Sequence, residues 1–203
     1  MDTQPLTELL RAAVPGASID PLDPGDMPAI AVNREHLLDV CATLRDHPAL
    51  QFAFLADVTA VDLYPANPRF EIVYHLACLG PHYVTAGAAA AAPPARLRMK
   101  VRLPAEDARI PSVTALYPTA AWPEREVFDL FGIAFEGHHD LRRILMPEDW
   151  EGHPLRKDYP VQIRKETASW SPLQLTPEEF ARNIRESQAR ADRDARGKSD
   201  RRD

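Results

Sequence analysis

Residues 122–161 read WPEREVFDLFGIAFEGHHDLRRILMPEDWEGHPLRKDYPV. Charged side chains in this stretch stand directly beside large apolar ones instead of forming a separate polar face. Because burial of an unpaired charge is costly, such a mixture is unusual for a segment that only completes a fold. The stretch therefore predicts either a functional site or a tightly ion-paired packing segment.

The first part of the stretch predicts a helix that begins at Trp122-Pro123 and ends at Gly132. At about 100° per residue, its large apolar side chains spread over nearly half of the helix circumference. So broad an apolar arc indicates burial on more than one side, either within the domain or beneath another protein of an assembly.

The charges of this helix divide between its two sides. Glu124 falls inside the apolar arc, in the first turn, where free N–H groups and the helix dipole can stabilise a carboxylate. Arg125, Glu126 and Asp129 lie on the other side. Arg125 and Asp129 are four residues apart, so we expect them to form an ion pair.

The second part of the stretch is rich in turns and arginine. We expect Arg142 and Arg143 to place one guanidinium on each side of an extended segment, or both near a helix start. Arginine is suited to bidentate pairing with carboxylates in partly dry surroundings. The run from Leu155 to Pro160 closes the block.

Several chemistries are conceivable for this segment. A metal site could use His138, His139, His153, Asp140 and Asp149, but adjacent histidines diverge and no HxH or HExxH spacing occurs. Acid–base catalysis by Glu124, Glu126 or Asp129 with a histidine stays open, although GxSxG, P-loop and GxGxxG patterns are absent. Nucleic acid is disfavoured, since residues 140–158 hold four basic and five acidic side chains.

The favoured interpretation is a packed, ion-paired interface segment, because Trp, Tyr and Arg commonly anchor protein contacts. We expect no catalytic, cofactor-binding or metal-binding residue. The candidates for interface contacts or structural ion pairs are Glu124, Arg125, Glu126, Asp129, Arg142, Arg143, Arg156, Asp158 and Tyr159.

The preceding sequence predicts an α+β fold, with N-terminal helices and a mostly antiparallel or mixed sheet. A helix follows Pro5, a short strand spans Ala29 to Val32, and Asn33 is expected to cap a second helix with the apolar stripe Leu37, Leu38, Cys41 and Leu44. In the strand from Gln51 to Thr59, the period-two pattern places Phe52, Phe54, Ala56 and Val58 on one face and Leu55 opposite.

Three further strands are predicted, at Arg69 to Leu79, at His82 to Thr85 and around residues 96–103. In the last of them, Leu97, Met99, Val101 and Leu103 alternate with Arg96, Arg98, Lys100 and Arg102, so one face is apolar and the other basic. The basic face is either a solvated sheet surface or a docking surface for an acidic partner. The alanine-rich residues 86–95 between these strands predict a loop.

Residues 1–161 are expected to form one domain, whose last part is irregular and turn-rich, followed by a C-terminal extension, residues 162–203, that is partly disordered in isolation. Glu166 to Pro172 is predicted to be extended, and Thr176 to Glu179 carries a capping box with proline at the first helical position. From Gln188 onward little remains to bury, which is typical of either an arm that folds on a partner or a frayed end.

Composition narrows the class of protein. The chain has 203 residues, 45% of them hydrophobic, and a formal net charge of −6, which disfavours a general nucleic-acid binder. Cys41 and Cys78 are far apart and cannot by themselves build an all-cysteine iron–sulfur or zinc site. No apolar run approaches the length of a membrane span and the acidic start is unlike a signal peptide, so we expect membrane association only through a partner.

The residues from Glu124 to Leu145 and the continuation PEDWEGHPLRKDYP resemble the 30 kDa subunit family of respiratory complex I, NADH–quinone oxidoreductase. The upstream stretches DVTAVDLY and FEIVYHL are similar to the same family, and the resemblance covers roughly Leu50 to Val161. His139 departs from the pattern, since the family more often has proline after the first histidine.

This resemblance implies a scaffold subunit of the peripheral arm, in the quinone-reducing module of a proton-translocating enzyme, without an autonomous active site. It implies that FMN, iron–sulfur clusters and quinone are bound by partner subunits and none by this chain. It also implies contacts with subunits D (49 kDa-like) and B, on the cytoplasmic side of the bacterial cell membrane. The alternatives are the equivalent subunit of a related membrane-bound hydrogenase or dehydrogenase, and a stand-alone enzyme using the histidine and carboxylate set.

Overall fold

The computed structural model describes residues 3–23, 25–80, 94–160, 176, 178–182 and 184. The chain divides into two compact units, Met1–Tyr159 and Pro160–Asp203. Among the described helices, none combines the length and the hydropathy that a membrane crossing requires.

The first unit is built on a five-stranded sheet with the strand order β1-β2-β5-β4-β3. The strands are β1 (Ile19–Leu22), β2 (Ala29–Val32), β3 (Phe54–Asp62), β4 (Phe70–Cys78) and β5 (Ala95–Leu103). All neighbours are antiparallel except β2 and β5, which are parallel. The α+β fold with a mixed sheet is therefore confirmed.

Three helices share one core with the sheet. They are α1 (Thr3–Ala13), α2 (Leu37–Asp46) and α3 (Ala121–Phe131), with 3-10 turns at Arg34–His36 and Pro118–Ala120. Two short parallel strands, β6 (Arg109–Pro111) and β7 (Ala134–Glu136), flank α3 in sequence. The helix bounds place α3 where the sequence predicted it, ending at Gly132.

The alternation predicted for the two central strands is confirmed. The core-facing residues of β5 are all buried, as are the corresponding ones of β4: Leu97, Met99, Val101, Leu103, Phe70, Ile72, Tyr74, Leu76 and Cys78. Burial of these side chains in the common core stabilises the fold through the hydrophobic effect.

The face assignment predicted for β3 is wrong. The pairing of β3 with β4 shifts between Leu55 and Asp57, as at a β-bulge. Leu55 and Val58 are both buried, whereas Phe54 is 41% exposed. An extra residue in one strand reverses the alternation beyond it, so a strict period of two could not place Leu55 in the core.

The predicted cap of α2 is also wrong. Asn33 makes no capping hydrogen bond, and its Oδ1 instead accepts the N–H of Ser18 at 3.0 Å. A 3-10 turn intervenes before α2 begins at Leu37. Leu38, expected in the apolar stripe, is 39% exposed, while Leu37, Cys41 and Leu44 are buried.

The basic face of β5 is largely neutralised within the chain. Lys100 and Arg102 both bind the Glu71 carboxylate on β4, at 2.7 and 3.1 Å. Arg98 binds Asp26 at 3.0 Å. This pairing favours a solvated sheet surface over a docking site for an acidic partner.

Several predictions lie outside the described residues: the His82–Thr85 strand, most of the alanine-rich loop, the extended Glu166–Pro172 segment and the tail from Gln188. The capping box is confirmed, because Thr176 Oγ1 accepts the N–H of Glu179 at 3.2 Å while Glu179 Oε2 accepts the N–H of Thr176 at 3.0 Å.

Candidate functional site

The residues that follow α3 fold back over the helix and hold it through a set of buried charges. We call residues 138–159 the clamp segment. Its contacts begin with Asp129, which is fully buried although the sequence placed it on the polar side of the helix. Side-chain Oδ2 of Asp129 accepts the N–H groups of Ile144, Leu145 and Met146 at 3.0, 2.7 and 2.8 Å.

The ion partner of Asp129 is Arg143, at 2.6 Å, and not Arg125. The predicted Arg125–Asp129 pair is therefore wrong, because a tertiary partner replaces the local one. Burial raises the pKa of Asp129, but the hydrogen bonds from Met146, Arg143, Leu145 and Ile144 outweigh it and lower the pKa overall. The carboxylate is thus held ionised inside the protein.

The arginines of α3 and of the clamp segment mainly bind main-chain carbonyls. Arg125 donates to the carbonyls of Arg142 and Arg143, each at 3.1 Å. Arg143 donates to those of Trp150 and Gly152, at 2.9 and 3.0 Å. Arg142 points the other way and is 68% exposed, paired with Asp140 at 2.7 Å. The two adjacent arginines therefore do lie on opposite sides of the segment, as the first of the two sequence alternatives predicted.

The last turn of α3 is capped by the clamp segment. The carbonyl of Asp129 accepts from His153 Nδ1 at 2.9 Å, that of Leu130 from the N–H of Leu155 at 3.0 Å, and that of Phe131 from Arg156 Nε at 2.6 Å. Carbonyls in the last turn have no partner inside a helix, and a guanidinium beside them also complements the helix dipole. The clamp segment therefore supplies hydrogen-bond donors to the last carbonyl groups of α3, whose burial without a partner would be energetically costly.

Gly132 makes this close approach possible. It adopts φ +71°, the left-handed conformation that glycine tolerates best. A Cβ atom at this position would collide with the ring of His153 and the guanidinium of Arg156.

A second charge network ties the clamp segment to the sheet. The Arg69 guanidinium binds Asp62 at the end of β3, at 2.9 and 2.7 Å, and Asp158 at 2.9 and 2.6 Å. Asp62 also accepts the N–H of Lys157 at 2.8 Å. The hydrogen bond from Arg69 is the main reason that the pKa of Asp62 falls to about 2.

Aromatic rings surround this network. The guanidinium carbons of Arg69 and Arg156 lie 5.0 and 5.3 Å from the ring centre of Phe70, and Arg69 lies 5.1 Å from that of Tyr64. Tyr159 closes the clamp segment on itself, with its hydroxyl donating to the Glu151 carbonyl at 3.1 Å.

Glu124 is fully buried, but its partners differ from those expected. Instead of first-turn N–H groups of its own helix, it accepts Ser112 Oγ–H at 2.6 Å and the N–H of Val113 at 2.8 Å. Burial outweighs these hydrogen bonds and raises the pKa of Glu124 to about 7. The residue joins the start of α3 to the loop after β6.

The histidines and carboxylates do not converge on a common point. His138 accepts the N–H of Asp140 on Nδ1 at 3.0 Å, so its Nε2–H donates to the Ala121 carbonyl at 2.9 Å. Within the part of the chain that the structure describes, no group of three or more His, Cys, Asp or Glu side chains could hold a metal ion.

The sequence did not predict three members of this site: Asp62, Arg69 and Ser112. The signal for Asp62 was available, because it continues the buried alternation Val58, Ala60 at the end of β3. A charged residue in phase with a core face requires a partner, and Arg69 follows a short proline-containing loop. Ser112 carried no comparable signal.

The fold and the site define a class of protein in which a charge-rich motif makes structural contacts within the chain. Large apolar side chains of the same region are exposed to solvent. Trp122, Leu145 and Leu155 are 71%, 54% and 49% exposed. Large apolar side chains that are exposed together are a common feature of surfaces that bind other proteins.

Comparisons with known proteins identify the family. Residues 30–165 match the family model "Respiratory-chain NADH dehydrogenase, 30 Kd subunit". A relative from Roseiflexus sp. (strain RS-1), the C subunit of an NADH-quinone oxidoreductase, is 43% identical over 162 residues, which is 79% of this chain and 86% of the relative. The chain belongs to the 30 kDa subunit family of the respiratory-chain NADH dehydrogenase, so the resemblance seen in its motif is confirmed.

One solved structure agrees with this assignment, and a second shares the fold. The trypsin-resistant fragment (1-134) of Nqo5 matches with a TM-score of 0.52 and 35% identity, over 70% of this chain and all of the fragment. A chain of the membrane-bound sulfane sulfur reductase, an archaeal respiratory membrane complex, matches with a TM-score of 0.60 over 86% of this chain and 96% of that chain. At 23% identity the second match shows a shared fold.

Proposed function

We propose that this chain is a non-catalytic scaffold subunit in the quinone-reducing module of a proton-translocating NADH–quinone oxidoreductase. In this role it contacts the D (49 kDa-like) and B subunits in the peripheral arm, on the cytoplasmic side of a bacterial membrane. FMN, iron–sulfur clusters and quinone are bound by those and other partner subunits. The family membership supports the kind of complex, since the relatives are C subunits of NADH-quinone oxidoreductases.

One observation carries the scaffold role: the motif residues are engaged in structural contacts. Asp129 holds three successive N–H groups, Arg156 and His153 cap α3, and Asp158 is bound by Arg69. Each of these groups would have to break a structural contact before it could bind a substrate. The motif therefore fixes a surface, and the chemistry of the complex belongs to its neighbours.

The test is co-purification followed by turnover per assembled complex. An affinity-tagged chain should bring down flavin- and iron–sulfur-containing subunits in a fixed ratio. The Arg143→Ala variant should lower the yield of the complex, while NADH–quinone turnover per flavin in the complex that does assemble stays unchanged. Normal yield with a lower turnover per flavin would contradict a scaffold role, and co-purification with hydrogenase subunits would reassign the complex.

A further inference from the structure

The outward side of α3 combines exposed apolar side chains with an exposed acid. Trp122 and Glu126 are four residues apart, which places them on one side of the helix, and both are exposed. Leu145 and Leu155 are attached to the same helix through main-chain hydrogen bonds, to Asp129 and to Leu130. Three exposed apolar side chains and a carboxylate therefore belong to one helix and the segment bound to it.

The charge of this region is unbalanced toward acid. Residues 122–160 contain nine acidic and five basic side chains. The four arginines are all occupied, by Asp129, by Asp140 or by main-chain carbonyls. Glu126, Glu148 and Glu151 are exposed and form no ion pair within the described residues. The exposed cation Lys157 belongs to the other end of the segment, where Asp62 holds its main chain.

We infer that this surface, defined by Trp122, Glu126, Leu145 and Leu155, docks a basic, apolar protein segment of a partner subunit. Charge complementarity determines the choice of occupant: a carboxylate that becomes covered needs a cation, and the described part of this chain brings none to Glu126. The partner segment thus places a Lys or Arg against Glu126 and apolar side chains around Trp122. Trp in such a position is a frequent anchor of interfaces.

This inference rests on the proposed function and specifies which face of the scaffold is covered. It also differs in charge from the docking alternative that the sequence left open for the basic face of strand β5, which would take an acidic partner. Glu71 and Asp26 bind three of the four cations on that strand.

Site-specific photocrosslinking in the assembled complex tests the surface. The photoreactive residue p-benzoylphenylalanine replaces Glu126 in one sample and Thr59, exposed on the outer face of β3, in a matched control. The position-126 sample should crosslink to a peptide of another subunit that contains Lys or Arg next to apolar residues. A crosslink to an acidic peptide, or none to another subunit, would overturn the inference.

Charge reversal provides the second measurement. Glu126→Lys should increase dissociation of the chain from the purified complex about tenfold, since loss of one covered ion pair costs at least about 1.4 kcal/mol. Glu8→Lys reverses an exposed acid on α1 and should leave retention unchanged. Equal retention of both variants in a complex that still co-purifies would reject this surface while the scaffold role stands. If the wild-type chain fails to co-purify with oxidoreductase subunits, the proposed function itself fails.

Discussion

Gly132 is required both for its positive φ and for the close approach of neighbouring side chains. Gly137 shares the positive φ without the close approach, so a comparison of the two glycines separates the two effects. Both adopt positive φ, +71° and +81°, but only a Cβ at position 132 meets other atoms, those of His153 and Arg156. We expect Gly137→Ala to cost about 1 kcal/mol through strain alone and Gly132→Ala roughly 3 kcal/mol or more, because the cap of α3 must also move. Chemical denaturation of both variants measures the difference, and equal losses would show that the cap adapts freely.

Glu124 makes stability depend on pH near neutrality. In the folded chain the Glu124 carboxyl group has a pKa of about 7, so it stays protonated until the pH approaches that value. In the unfolded chain the same carboxyl group loses its proton near its ordinary pKa of 4.5. The stabilisation is therefore fully present below pH 4.5 and is lost as the pH rises through 7, a fall of about 3 kcal/mol in the free energy of unfolding. Glu124→Gln should abolish this decline, and the exposed control Glu126→Gln should retain it. A decline that persists in Glu124→Gln would show that another group titrates.

The sequence predicted the locations of these residues in the fold better than it predicted their hydrogen-bond partners. The helix stop at Gly132 and the location of Glu124 within the apolar arc followed from local spacing. The partners Ser112 and Val113 did not, since they come from a loop whose path depends on the whole core. The Arg125–Asp129 prediction was wrong for the same reason, because a four-residue spacing describes an isolated helix and not one covered by another segment.

At the level of elements, α3 depends on the clamp segment for its buried end. Breaking the Arg143–Asp129 pair leaves a carboxylate with no exposed surface and without its cation, so Arg143→Ala should lower the free energy of unfolding by about 3–5 kcal/mol. Arg142→Ala, next in sequence but 68% exposed, should leave the free energy of unfolding close to that of the wild type, because an exposed ion pair contributes little to stability. Urea titrations of the two variants give the comparison, and similar values would mean that the loop is held by its main-chain contacts alone.

Elements with a regular alternation were predictable and those with an irregularity were not. The arginine–leucine alternation of β5 left one possible face for the core. In β3, by contrast, the bulge between Leu55 and Asp57 reverses the alternation. A bulge depends on pairing with the neighbouring strand, so the sequence of β3 alone does not contain it.

At the scale of the whole molecule, the fold class, the mixed sheet and the family could be read from the chain. The connection between the motif and the sheet could not. Arg69 and Asp158 are 89 residues apart in sequence and are brought together by the tertiary fold. The local sequence contains little information about contacts between residues so far apart in the chain. A carboxylate on the core-facing side of a strand, as at Asp62, does indicate that a partner is needed.

That long-range network should govern the acid stability of the first unit. Hydrogen bonding to Arg69 lowers the pKa of Asp62 to about 2 from an ordinary value of 3.8, so the stabilisation is present above pH 3.8 and is lost as the pH falls through 2. Arg69→Met removes the cation from two carboxylates at once and should cost about 3–5 kcal/mol at pH 7, with most of the acid dependence gone. Asp158→Asn removes the partner that is 49% exposed and should cost about 1 kcal/mol while Asp62 keeps its low pKa. Thermal unfolding of the three proteins between about pH 2 and 7 tests this, and an Arg69→Met protein with the wild-type acid profile would place the titrating group elsewhere.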